Sequence, residues 1–115
     1  MKLKTLSIAM MALAATGVAS ADEILQMQQN ENNWVSAAGN YNNQRYSKLA
    51  QINKDNVKDL KMAWTFSTGV LRGHEGNALV IDGTMYVHTA FPNIVFALDL
   101  NNDGAIKWKY EPKQN

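Results

Sequence analysis

The chain contains no cysteine among its 115 residues, so no internal disulfide closes a loop and no thiolate metal cage or thiol nucleophile exists. Proline and histidine are equally scarce, at 2 each. The two histidines, His74 and His88, stand in separate segments with no further His or Cys beside them, which does not compose a metal site. Neither sign of charge dominates: 11 Lys and Arg face 10 Asp and Glu, a formal net charge of +1. That balance excludes the basic footprint of a nucleic-acid-binding chain. Long hydrophobic runs are also missing, since none reaches the roughly 20 residues that a ~30 Å hydrocarbon core demands.

The apolar residues that are present concentrate at the start. Lys2 and Lys4 form a short basic region, the run from Leu6 to Val18 is almost free of polar side chains, and Val18-Ala19-Ser20-Ala21 offers small residues at the positions a signal peptidase reads. This pattern describes a secretory signal peptide over residues 1–21, cleaved after Ala21, and an exported, periplasmic protein. Removing it takes away 2 of the 11 basic groups and none of the 10 acidic ones, leaving 9 against 10 and a mature charge of −1. About 94 mature residues without disulfides must then be held by packing alone. The closing stretch Trp108 to Pro112 reads as a strand end without a terminal helix, so an incomplete domain is expected.

Residues 22–61 read as a lead-in with short helices. Asp22 and Glu23 open a surface helix, where acidic groups favour the amino end. Trp34 to Lys48, with Gly39, several Asn and two Tyr, shows neither helical nor strand periodicity, and Trp34 and Tyr46 are its expected anchors. Asn53 is placed to cap a helix of about two turns through Leu60, in which Val57 and Leu60 would share a face with Ile52.

From residue 62 to 115 the signal is β. Met62 to Ser67, Asn77 to Ile81, Thr84 to Thr89, Ile94 to Leu98 and Ile106 to Tyr110 are rich in β-branched, bulky and aromatic residues. Asp82-Gly83 between two such runs predicts a type I′ hairpin, because both central residues must take positive φ. Asn101 to Gly104 carries the same chemistry with two extra residues. A four-stranded antiparallel meander follows, preceded by one further strand. The fold class is therefore all-β, and the meander is the unit that β-propellers repeat radially. One such unit cannot bury both of its faces alone.

Ala97, Asp99, Gly104 and Trp108 resemble the tryptophan-docking motif of quinoprotein dehydrogenases, with one extra residue between Asp and Gly. A wider match runs through Trp34, Gly39, Arg45-Tyr46-Ser47, Leu49, Gln51-Ile52-Asn53, Asn56-Val57, Leu60 and Ala63-Trp64. Together they make the chain similar to the amino-terminal part of PQQ-dependent alcohol dehydrogenases. Within that family, Arg72-Gly73-His74-Glu75-Gly76, Met85 to Thr89 and Phe91-Pro92-Asn93 resemble the large subunit of methanol dehydrogenases rather than the sugar or polyol enzymes. Ala78 departs from the pattern, where Pro is usual.

The resemblance implies the first blade and lead-in of an eight-bladed propeller that binds pyrroloquinoline quinone (PQQ) with a calcium or lanthanide ion. It implies oxidation of a primary alcohol such as methanol to the aldehyde, a periplasmic cytochrome c as electron acceptor, and association with a small beta subunit and a second large subunit. It also places the vicinal cysteine pair, the metal ligands and the catalytic Asp beyond Asn115, leaving no catalytic or metal residue here. Glu75 is the cofactor-binding residue it assigns, through a hydrogen bond to the quinone. From the residues alone, Glu75 reads as a solvated loop charge between Gly73 and Gly76. Arg72 either clamps an anionic group or pairs on the surface, and Trp64 and Trp108 read as packing groups. A non-catalytic propeller scaffold of the cell envelope is the competing function.

Overall fold

The computed structural model describes residues 19–113. Most of the expected signal peptide lies outside these residues. Its last three positions open helix α1 (Ala19–Met27), which starts three residues ahead of the expected Asp22. The helix ends in tight turns, with the Gln29 N–H donating to the Gln26 carbonyl at 3.0 Å and Asn30 N–H to the Met27 carbonyl at 3.2 Å. Asn33 then ties this end to the rest of the chain: its amide nitrogen donates to the Met27 carbonyl at 3.1 Å, and its oxygen accepts the Asp82 N–H at 2.9 Å.

Four strands, β1 (Leu79–Ile81), β2 (Thr84–His88), β3 (Val95–Asp99) and β4 (Ala105–Tyr110), form one antiparallel sheet in sequential order. The expected meander is therefore present. Its first link is a two-residue hairpin: Ile81 pairs with Thr84, and Asp82 and Gly83 take φ of 48° and 71°, as a type I′ turn requires. The β3–β4 link closes on Asp99, whose carbonyl accepts the Gly104 N–H at 2.9 Å. Asp103 and Gly104 again have positive φ. A register shift opposite Ala97 and Leu98 leaves Lys107 unpaired between Ile106 and Trp108. The Lys107 ammonium consequently reaches the Thr84 hydroxyl at 2.8 Å, on the side of the sheet that Thr84 shares with Asp99.

The two faces differ. Ile94, Phe96 and Leu98 form the buried cluster, with Met85 and Val87 from β2 and Trp64, Phe66 and Val70 packed against it. On the opposite face Tyr86, Ala97 and Trp108 lie in one cross-strand row. The Tyr86 and Trp108 rings stand 6.0 Å apart over fully buried Ala97, while Trp108 remains 47% exposed.

Three expectations need correction. Met62 to Ser67 does not form a strand, and no described residue pairs with its backbone. Its alternation is nevertheless real, since Trp64, Phe66, Thr68 and Val70 are half-buried and the residues between them exposed. Periodicity shows which side chains face the sheet; a ladder also needs a neighbouring backbone. The helix expected from Asn53 through Leu60 shrinks to a 3₁₀ turn at Val57–Asp59. Asn53 closes the turn ahead of it, its side-chain oxygen accepting the N–H groups of Asp55 and Asn56 at 3.0 and 3.3 Å, but the capping position falls to Asn56, whose side chain makes no capping bond. However, Ile52, Val57 and Leu60 are all exposed, so no packed face sustains so short a helix. Tyr46, expected as an anchor, is 70% exposed.

Trp34 does anchor the irregular segment. It exchanges backbone hydrogen bonds with Val80 at 2.7 and 3.0 Å, adding a bridge to the free edge of β1. Its indole lies over Gly39, where a Cβ would come within 2.9 Å of the ring.

Candidate functional site

An open depression of about 470 Å³ lies at one end of the sheet, lined by Gly73, Glu75, Gly76, His88, Thr89, Ala90 and Asn93. One wall is the segment 71–76 leading into β1, and the other is the link from β2 to β3. The second wall is built around Thr89, which is buried. Its hydroxyl donates to the Ala90 carbonyl at 2.7 Å and accepts the Ile94 N–H at 3.0 Å, while its own N–H donates to the Ile94 carbonyl at 2.9 Å. Asn93 turns the chain with φ of 62° and an N–H bond to the Ala90 carbonyl at 2.9 Å. Asn tolerates that left-handed conformation better than most residues.

Glu75 sits on the first wall. Its side chain is exposed, and it makes no hydrogen bond or ion pair with any described residue. An ionised carboxylate only accepts, so it presents two oxygens to an N–H or O–H edge of a ligand. At Gly73 the lip is open: nothing lies within 4 Å of where a Cβ would be. At Gly76 the opposite holds, because a Cβ there would overlap the His88 ring. Only Gly76 is therefore required by a close approach; a side chain at Gly73 would meet open space.

The walls are joined by rings. Arg72 places its guanidinium 5.4 Å from the Phe91 ring centroid, a cation–π contact, and makes no ion pair with a described residue. His74 and His88 come together, their ring centroids 5.8 Å apart. Among the described residues, no group of three or more His, Cys, Asp or Glu gathers as a metal site. Sequence reasoning had singled out Glu75 and did not connect His88, Thr89 or Asn93 to it. A buried Thr ahead of an Asn-containing turn was the available local signal for the second wall, but the juxtaposition with Glu75 is a long-range contact.

The depression suits a flat polar ligand. It is open enough to admit one, and a carboxylate without a partner among the described residues lies at its lip near Gly73, where a Cβ would meet nothing within 4 Å. Trp64 and Trp108 lie elsewhere. Trp64 packs on the sheet core and Trp108 on the face beside Tyr86.

Residues 34–115 match the family described as PQQ: Glucose/ethanol/alcohol dehydrogenase, beta-propeller domain. The chain is 51% identical over 113 residues to methanol dehydrogenase [cytochrome c] subunit 1 of Methylobacterium organophilum, covering 95% of this chain and 18% of that protein. It is 59% identical over 104 residues to a lanthanide-dependent methanol dehydrogenase of Methylorubrum extorquens, covering 90% of this chain and 17% of the relative. Among solved structures, a europium-containing methanol dehydrogenase superposes with a TM-score of 0.76 at 55% identity, over 82% of this chain and 16% of that one. The chain therefore spans less than a fifth of the length of these relatives.

Proposed function

The chain belongs to the PQQ-dependent glucose/ethanol/alcohol dehydrogenase β-propeller family, and from that premise we propose that it forms the lead-in and first blade of a cytochrome c-linked methanol or primary alcohol dehydrogenase. In this reading the complete protein is an eight-bladed propeller in the periplasm, reached through cleavage of residues 1–21. It carries PQQ with calcium or a lanthanide, and works with a small beta subunit and a second large subunit. PQQ, when bound, takes up the two electrons released as the alcohol becomes the aldehyde, and a cytochrome c carries them away singly.

Glu75 carries the assignment within this chain. Its exposed, partnerless carboxylate at the lip of the depression accepts a hydrogen bond from the cofactor and so fixes one edge of it. The link from Thr89 to Asn93, locked by the Thr89 hydroxyl, supplies a fixed opposite wall. Orientation of this kind is what the protein contributes to a cofactor enzyme, since the redox chemistry is the cofactor's own.

The test is to purify the full-length protein without cofactor, add PQQ with Ca²⁺ or with La³⁺, and measure methanol-dependent reduction of cytochrome c. Turnover that requires both PQQ and a metal supports the reading. Loaded protein that oxidises neither methanol nor longer primary alcohols would leave the non-catalytic scaffold in its place. Removing the Glu75 carboxylate by Glu75→Ala should weaken PQQ binding about tenfold or more, the scale of a hydrogen bond to a charged group.

A further inference from the structure

Resting on the assignment of Glu75 to the cofactor, we propose that His88 is the positioning residue for that carboxylate, a flat buttress that sets the segment 71–76 at its working height. The segment needs one. None of its residues makes a hydrogen bond to another described residue, so three ring contacts hold it: Arg72 on Phe91, His74 against His88, and the backbone of Gly76 on His88. His88 takes part in two of the three, on either side of Glu75.

The backbone that carries this ring is itself fixed. His88 is the last residue of β2, paired with Val95 of β3. The next residue, Thr89, is buried and hydrogen-bonded on three sides. The ring therefore projects from a hydrogen-bonded end of the sheet toward a segment that has no hydrogen bond to another described residue. Gly76 reports how close the two are, because even a methyl group there would overlap the imidazole. The imidazole is itself exposed, but it fills the space against Gly76, and so the segment has no room to settle toward it.

His88 acts through Glu75, so its effect should vanish when the carboxylate is gone. The dissociation constant of PQQ is measured by quenching of tryptophan fluorescence in the full-length protein with metal present. The variants are H88A, H88F, E75A and E75A/H88A, with the urea midpoint of each cofactor-free protein as a fold check. H88A should weaken binding about tenfold in the wild-type background and by less than about twofold in the E75A background, the signature of two coupled residues. H88F, which keeps a flat ring against Gly76, should bind within about threefold of wild type, because shape rather than bonding carries the effect. If H88A does not fold, H88L takes its place, filling volume without a flat face.

Equal weakening by H88A in both backgrounds would overturn the proposal by showing that His88 acts on its own. So would an H88F protein as weak as H88A, which would make the imidazole nitrogens the active feature, or an H88A protein that binds like wild type. Unchanged affinity in E75A removes the Glu75 assignment itself and the positioning role with it, and is recognised because it appears in the single variant.

Discussion

The indole of Trp64 lies directly on the backbone of Gly104: a Cβ on that glycine would stand 2.6 Å from Cζ3 and 2.7 Å from Cε3 of the ring. This contact clamps the extended segment ahead of the sheet to the β3–β4 link, and it takes the place of the backbone ladder that the segment lacks. Gly104 also has φ of 73°, so a side chain there is opposed by both the local backbone and the distant ring. Gly104→Ala in the full-length protein should lower stability by about 2 kcal/mol or more. A urea midpoint matching wild type would show that the clamp yields freely.

Phe66 meets Phe96 edge to face, with centroids 5.0 Å apart and planes inclined at 73°. Because Phe96 belongs to the buried cluster, Phe96→Ala should be costly, about 3 kcal/mol or more. The pair itself should show a coupling near ~1 kcal/mol in a double-mutant cycle with Phe66→Ala. Strict additivity would mean that the segment merely lies over the sheet without contributing aromatic attraction.

Thr89 satisfies two backbone groups from one hydroxyl inside the wall of the site. Thr89→Val keeps the shape and leaves the Ile94 N–H without its acceptor, which predicts a loss of about 1 to 3 kcal/mol. Thr89→Ser retains the hydroxyl and should recover most of that loss. If Ser is as unstable as Val, the methyl group and not the hydrogen bonds holds the wall.

Arg72 on Phe91 is an exposed cation–π contact, and Arg72→Ala should change stability by only about 0.5 to 1 kcal/mol. Lysine at this position should keep most of that effect. A loss of several kcal/mol, read from the same urea titration, would point to a partner for Arg72 elsewhere in the full-length protein.

Residues 22–115 by themselves should not unfold cooperatively. Only Ala38, Ile94, Phe96, Ala97 and Leu98 are buried apolar residues among those described, while Met62 is 78% exposed and Leu49, Ile52, Val57, Leu60, Trp108 and Tyr110 also face solvent. So small a core against so much open apolar surface favours aggregation. A monomer of this length with a sharp near-ultraviolet thermal transition would contradict the prediction.

Much of the blade was legible because its signals are local. Asp82-Gly83 and Asp103-Gly104 take positive φ for reasons contained in those residues, and the β-rich runs between them leave a meander as the simplest connection. The strand ends shift by only a residue or two. Met62 to Ser67 marks the limit. Its bulky and aromatic composition predicted a strand, yet the same composition serves a segment that packs Trp64 and Phe66 on a sheet without joining it. Asn53 marks the other limit: its side chain closes a turn, but no helix grows from it, because the apolar residues that follow find nothing to pack against.

At the site, Glu75 was visible as a carboxylate between glycines, and its family resemblance supplied a role. What surrounds it was not visible, because Gly76 against His88, Arg72 over Phe91 and Trp34 bridging to Val80 all join residues far apart in the chain. The turns and the family resemblance follow from residues close together in the chain, since dihedral preference and side-chain chemistry act within a few residues. Which face is covered, what Gly104 and Gly76 make room for, and the meeting of two histidines from separate segments beside one carboxylate come from long-range packing. Those outcomes depend on excluded volume between distant parts of the chain, and no local preference encodes it.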